Sequence, residues 1–277
     1  GDSGTTGEFQ LENPYIDPDQ IATWDCVYLG RYPQTSDGAG GFLTEPIKWR
    51  VLRVTDTDDD GELDDAFLMA DKNLDAKPFG TNKSITWRSC TLRTWLNGTN
   101  EDNFYGRAFN ETERDAIKLT TVNTGGVTSE DYVYLLCHHF LDYSELKNQD
   151  YGFFYKNIAH ATRVAASTDY TRYVGGETTE SGNGMYWTRS SDTYGSSVAY
   201  VGSNGYIVED WAASPTFTDF AVRPVLHIDL SKEGWSYAGK VYSDGRVINA
   251  ITEAKVTGNF TYDGNEKKPG VVALFGE

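Results

Sequence analysis

The sequence predicts an α+β fold of mixed and antiparallel sheets with two or three short helices. Three observations predict it. Strand-like stretches come first, capped helical stretches follow, and strand-like stretches return, an order that does not build an alternating parallel α/β sheet. Aromatic residues reach 14%, beside 28 glycines and 2 methionines, a composition suited to β structure with many turns. At 277 residues the chain buries a core large enough to fold without disulfides or metal.

The elements follow in order. Val27, Tyr28 and Leu29 read as a strand ending at Tyr32-Pro33, and Ile47 to Val54 alternates cleanly as the next. Ala66 to Ala70 forms a short apolar strand, so the acidic tract Asp56 to Asp65 becomes the hairpin connection between the two. Ser89 is placed to cap a short helix with Leu92, Trp95 and Leu96 on one face, and Gly98 to stop it. Asn110 to Glu113 resembles a capping box before Ala116, Ile117 and Leu119. Tyr132 to Cys137 alternates like a strand, and Phe140 to Leu146 suits another short helix. Val198–Val201 and Tyr206–Val208 flank Asn204-Gly205, which predicts a hairpin with a type I′ turn. Ala221 to Leu230 reads as one further strand.

Three regions result. Residues 1–20, rich in Gly, Thr, Asp and Pro, read as a leader or linker, and 21–246 as the principal domain. Residues 247–277 read as the start of a truncated small β module, immunoglobulin-like, opened by Phe260 to Pro269. The opening Gly1 to Gly7 lacks methionine and reads as a mature N-terminus after removal of an export leader, with a trimmed cytoplasmic protein as the alternative.

Charge narrows the partners. With 24 Lys+Arg against 41 Asp+Glu the formal net charge is −17, which repels phosphate backbones and anionic lipid. Nucleic acid and membrane insertion are therefore not expected, and no run of 18 apolar residues occurs. The expected partner is a glycan or a protein, met by a monomer. Cys26, Cys90 and Cys137 have no zinc-site spacing and are odd in number, so buried free thiols are expected, with one bridged pair as the alternative.

The sharpest motif runs from Asp56 to Asp64. Calcium needs several oxygen ligands at once, and Asp56, Asp58 and Asp60 with Gly61 in sixth place match the first six places of a calcium loop, Glu62 and Asp64 beyond them completing the candidate ligands. The twelfth place is Phe67 where an EF-hand has an acid, so Asp64 or Asp65 would have to close the shell. The competing reading is a solvated acidic turn. Structural calcium is the one cofactor expected. Adjacent His138 and His139 would point apart on a strand, and His227 lies in an apolar stretch, so neither these nor His160 reads as a ligand set. No nucleophile elbow, phosphate loop or zinc-protease motif occurs, Gly38 to Gly41 opens no helix, and no catalytic residue is assigned.

Six stretches in order carry a resemblance: Val27 to Gln34, Ile47 to Leu52, Thr91 to Asn97, Phe109 to Glu113, Trp187 to Ser190 and Val222 to His227. Together they resemble an uncharacterised bacterial and phage domain family with a C-type-lectin-like fold. That family is similar to the formylglycine-generating-enzyme superfamily and to the variable proteins of diversity-generating retroelements. The resemblance spans roughly residues 22 to 245 and implies a ligand surface over 190–217. There it places Ser191, Asp192, Tyr194, Tyr200, Ser203, Asn204, Tyr206, Glu209, Asp210 and Trp211, residue types suited to contact. Trp187, Arg189 and Arg223 it makes scaffold, the arginines in buried or semi-buried pairs. The lectin sugar motifs are absent, and so are the late cysteines of the formylglycine enzymes, so neither activity carries over. The expectation is a bacterial secreted or cell-surface binding module, adhesin- or receptor-like and non-enzymatic. A carbohydrate-active or formylglycine-enzyme-like enzyme and a purely structural surface module stay open as alternatives.

Overall fold

The computed structural model describes residues 10–19, 21–83, 85–137, 159–192, 196–249, 251–257 and 270–275. The strands are β1 (Tyr15–Ile16), β2 (Ala22–Ser36), β3 (Phe42–Thr55), β4 (Asp65–Ala70), β5 (Asp75–Ala76), β6 (Thr120–Thr124), β7 (Val127–Asp131), β8 (Tyr186–Ser191), β9 (Val198–Val201) and β10 (Ile207–Ala213). They continue with β11 (Ala221–Val222), β12 (Val225–Asp229), β13 (Ser236–Tyr242), β14 (Val247–Ile248), β15 (Ile251–Thr257) and β16 (Gly270–Phe275). The helices are short: α1 (Thr91–Asn97), α2 (Phe104–Ala108), α3 (Glu111–Ala116), α4 (Ala159–Arg163) and α5 (Asp169–Tyr173), with a 3-10 turn at Trp87–Ser89.

A seven-stranded sheet has the order β12-β4-β3-β2-β13-β14, with β1 on β2, and a five-stranded sheet has the order β10-β9-β8-β11-β5. Every pair is antiparallel except β11 on β8. Two hairpins, β6-β7 and β15-β16, stand apart from both sheets. The α+β class therefore holds.

Alternation built the first sheet as expected. β4 is buried along its whole length, between β3 and β12. Trp24, Trp49, Trp87 and Trp187 are fully buried, and three of their indole N–H groups donate: Trp49 to the Leu29 carbonyl at 2.8 Å, Trp87 to Asp131 at 2.9 Å and Trp187 to the Lys77 carbonyl at 2.9 Å. Gly30 marks a register shift between β2 and β3, at a φ of 71°; a Cβ there would sit 2.5 Å from the Phe109 ring.

Several elements differ from expectation. The first strand runs past Tyr32-Pro33 to Ser36. Cys90, not Ser89, caps α1: its thiol accepts from the Arg93 N–H, while Ser89 closes the preceding 3-10 turn. Gly98 ends that helix with extended backbone. The capping box at Asn110 and Glu113 is present, but α3 stops at Ala116 and Leu119 is exposed.

Tyr132 to Cys137 is not a strand, apart from one bridge between Tyr134 and Val225. Side chains do the work of a partner strand: Asn97 accepts from the N–H groups of Tyr132 and Val133 and donates to the Val133 carbonyl, while Arg189 donates to the Leu135 carbonyl. Ala221 to Leu230 is two strands in two different sheets, split at Arg223-Pro224, where proline has no N–H to continue a ladder. The Asn204-Gly205 hairpin forms, but only Gly205 has a positive φ, 83°. Gly205 N–H donates to the Gly202 carbonyl and Gly202 N–H to the Tyr206 carbonyl, a three-residue turn with a glycine bulge rather than type I′. The expected helix at Phe140 to Leu146 and the expected strand at Phe260 to Pro269 lie outside the described residues. Within the expected linker Leu11 is buried and β1 pairs with β2; across residue 246, β14 pairs with β13.

All three cysteines are free and buried. Burial pushes the Cys90 thiol up to about 12 and Cys26 higher still, so both are inert at neutral pH.

Two carboxylates, Asp71 part-buried and Asp75 buried, pull stability in opposite directions with pH. Burial raises Asp71, yet the Arg50 guanidinium at 2.6 Å outweighs it and holds the carboxyl below its ordinary value. Its contribution is present above the unfolded carboxylate range and is lost as pH falls through the depressed folded value. Burial raises Asp75, whose oxygen accepts the Tyr32 O–H at 2.6 Å, so its contribution is present at acid pH and is lost as pH rises through the raised value. In urea unfolding at a series of pH values, Asp71→Asn is expected to be less stable than wild type at pH 7. The gap should close below about pH 4. A gap constant with pH would refute the ion-pair account.

Candidate functional site

β8, β9 and β10 form a platform over an aromatic stack. Trp187 on β8 stacks on Phe220 at 4.1 Å between ring centres, Tyr200 on β9 meets Phe220 edge-on at 4.8 Å, and Phe217 stacks on its outer side at 6.3 Å. The tip of the β9-β10 hairpin is tied down from below, where buried Arg163 donates from Nε to the Gly205 carbonyl at 2.7 Å. Above this base, Tyr206 is 53% exposed and Phe217 50% exposed.

The residues expected at a ligand surface divide accordingly. Asn204, Tyr206 and Glu209 are exposed at or beside the hairpin tip, with Ser203 half-buried among them; Asn204 Oδ1 accepts from the Tyr206 N–H at 3.1 Å. Tyr200 is half-buried in the aromatic stack and acts as support. Asp192 organises its own turn, accepting from Ser196 N at 2.8 Å, Ser196 Oγ at 2.5 Å and Ser197 Oγ at 2.9 Å. Asp210 and Trp211 lie in β10 by their backbone, and Tyr194 lies outside the described residues. The two arginines are buried, and oxygens of the main chain and of hydroxyl groups accept from both. Arg189 donates to Leu135 O, Asn123 O and Thr124 Oγ1, and Arg223 to Ala70 O, Arg163 O, Asp71 O and the Tyr186 hydroxyl. Burial pulls both guanidinium groups below their ordinary values.

Ser191 and Asp192 also wall a cavity of about 380 Å³ at the end of the platform. Its other walls are the turn at Thr86 to Arg88 and the tip of the β6-β7 hairpin at Thr124 to Val127, and its floor includes Cys137 and Ser190, whose Sγ and Oγ lie 3.0 Å apart. Four separated segments meet here with no shared motif, and sequence reasoning missed Thr86, Arg88 and Thr124 for that reason.

The β3-β4 loop brings three of the five candidate calcium ligands together. Ligand oxygens of Asp56, Asp58 and Asp60 lie within 4.8 Å of one another. Asp56 Oδ2 accepts from the Gly61 N–H at 2.8 Å, while Asp56 Oδ1 is buried and has no hydrogen-bond partner among the described residues. The neighbouring charge of Asp60 holds the Asp58 carboxyl above its ordinary value. Glu62 is exposed, and Asp64 is committed to the Thr57 N–H at 2.7 Å and to the Thr57 hydroxyl; those two bonds hold it below the ordinary carboxylate value. Asp65 is spoken for as well, by His227 Nδ1 and Lys118 Nζ, each at 2.8 Å. His227 is thus a satisfied residue at the edge of the core, stacked on Phe67 at 4.6 Å. His138 and His139 lie outside the described residues, as does the side chain of His160.

No described helix is long and apolar enough to cross a membrane. Comparison with curated proteins returns no match, and comparison with solved structures returns none. A family model does match, over residues 64–230, more than half of the chain. The chain therefore belongs to the family described as a domain of unknown function, DUF6273.

Proposed function

We propose that this domain is a non-catalytic binding module of a bacterial secreted or cell-surface protein, recognising a glycan or a protein through the 190–217 face. The observation that carries the reading is the contrast at that face. Tyr206 and Phe217 are about half exposed, while the strands beneath them are fixed by the Trp187-Phe220-Tyr200 stack and the Arg163 bond. A rigid base presenting exposed aromatic and polar groups suits recognition, because little side-chain freedom is lost on binding. The finer fold reading, a C-type-lectin-like domain related to the formylglycine-generating-enzyme superfamily and to retroelement variable proteins, rests on the six ordered motifs. Two sheets flanked by short helices are compatible with it.

The acidic loop would add structural calcium to this module. The donor set fits a hard cation, with three converging carboxylates and a buried, unpartnered oxygen on Asp56. Asp64, already bonded to Thr57, is not part of that set as the loop stands.

A glycan array read with calcium and with chelator, for wild type and a Tyr206→Ala/Phe217→Ala variant, tests the reading. Selective binding by wild type is expected, weakened at least about tenfold in the variant if these aromatics anchor the ligand. Loss in chelator would assign the loop a part. Binding that survives the double substitution unchanged would remove the 190–217 face from the proposal, and silence under both conditions would remove the glycan.

A further inference from the structure

We propose that a cleft on the seven-stranded sheet, apart from the 190–217 face, binds a short peptide with both termini free, a dipeptide being the simplest such ligand. This goes beyond the reading of that face and does not depend on it.

The cleft measures about 480 Å³ and is bounded by β2, β3, β14 and the segment that joins β4 to β5. Tyr28, Pro46, Val247 and the buried Leu74 give it apolar walls. Charges of both signs wall the same space: Glu45, Lys48, Asp71 and Lys72. Asp71 is committed to Arg50 at 2.6 Å. Glu45, Lys48 and Lys72 enter no ion pair among the described residues, although they share one cleft. Glu45 Oε2 accepts from the Thr35 N–H at 2.9 Å, which leaves Oε1 unspent. Lys48 Nζ donates to Asn249 Oδ1 at 3.3 Å and has two more protons to give. Lys72 is exposed and donates to no described residue; it acts on Asp169 only at a distance, and Asp169 is paired with Arg172.

The strand register holds the two signs apart. Lys48 stands opposite Tyr28 and Glu45 opposite Tyr32, so the pair is three residues apart on β3, about 10 Å of strand. The Asp71 N–H donates to the Lys48 carbonyl at 2.9 Å, which brings Lys72 in alongside. Gln34 adds a neutral acceptor beside Glu45. Its Nε2 donates to the Glu45 and Pro46 carbonyls at 3.2 Å and 2.9 Å, fixing the amide with Oε1 unspent. The cleft therefore offers acceptors for an ammonium and, further along β3, ammonium groups for a carboxylate. A ligand of one sign would satisfy one set and leave the other. A dipeptide carries both charges several bonds apart, and apolar side chains suit the walls between them.

The test is a titration of the isotopically labelled full chain with alanyl-leucine, with its N-acetyl form and with its C-terminal amide. Alanyl-leucine is expected to shift amide resonances of residues 28, 34–35, 45, 47–48, 71–74 and 247, and to leave residues 200–209 unmoved. Each blocked form should bind at least about tenfold more weakly. Glu45→Gln should weaken the free dipeptide about tenfold and leave the acetylated form unchanged, while Lys48→Gln/Lys72→Gln should weaken the free dipeptide equally and leave the amide unchanged. None of these side chains is buried, and spectra away from the cleft show that the variants fold. No shift at the cleft, a response confined to the 190–217 face, or equal binding of free and blocked forms would overturn the proposal. An acetylated form that binds as well as the free dipeptide, with the amide weaker, would make this a site for an apolar acid and sink the dipeptide. Since the glycan array reads Tyr206 and Phe217, neither result decides the other.

Discussion

Replacing Trp187 with alanine is expected to cost about 3–5 kcal/mol of stability, the range for truncating a fully buried tryptophan. This indole joins three parts of the molecule. It stacks on Phe220 at 4.1 Å, meets Phe79 edge-on at 6.0 Å, and donates to the Lys77 carbonyl at 2.9 Å. Alanine leaves a cavity under the β9-β10 hairpin and takes the indole donor from the part-buried Lys77 carbonyl. Trp187→Phe restores much of the stacking area but not the donor, and should recover more than half of the loss. Urea unfolding of both variants gives the comparison. A loss within about 1 kcal/mol for the alanine variant would mean that the platform repacks, contrary to the usual cavity cost. If the alanine variant folds at low temperature, its affinity on the array should fall with the support of Tyr206, although Trp187 touches no ligand.

Asp131→Ala should be as damaging by a different route. The carboxylate is fully buried and accepts from Arg93 Nε at 2.5 Å, Trp87 Nε1 at 2.9 Å and Ser129 Oγ at 2.7 Å. Removing one member of a buried pair leaves a partner charge and an indole donor without an acceptor, which costs about 3–5 kcal/mol. Ser129→Ala removes only a hydroxyl and should cost about 1 kcal/mol. The same carboxylate ties the Thr86 to Arg88 turn to the β6-β7 hairpin, which are two walls of the cavity. Thermal unfolding of the two variants separates the predictions, and equal, small shifts for both would show the pair to be dispensable.

How much of this was legible follows from where each element gets its backbone partners. Ile47 to Val54 and Ala66 to Ala70 alternate or run apolar because sheet neighbours bury them, so periodicity finds them. The Asn110 capping box is local and was readable for the same reason. Tyr132 to Cys137 carries the same alternation, but its main chain is satisfied by Asn97 and Arg189, side chains 35 or more residues away, which no local pattern records. Arg223-Pro224 hides a change of sheet inside an apolar run, although the proline itself was a usable signal. At the candidate sites, the acidic loop and the exposed hairpin tip were legible as contiguous motifs. The split of Asp64 from the acidic cluster and the meeting of Arg88, Thr124 and Ser191 were not, since both depend on which distant groups compete for the same atoms.

The pairing of β2 with β13 sets how the domain would bear mechanical load. Thr23 stands opposite Tyr242, and Ser243 N–H donates to the Ala22 carbonyl, so the chain enters β2 and leaves β13 at the same end of the sheet. Tension between residues just outside these two strands would open their ladder one bond at a time, as a zipper, rather than loading all its bonds together in shear. Such a joint yields at low force and re-forms easily. Strands β8, β9 and β10 lie in the other sheet, so opening this ladder breaks none of the bonds that hold the 190–217 face together.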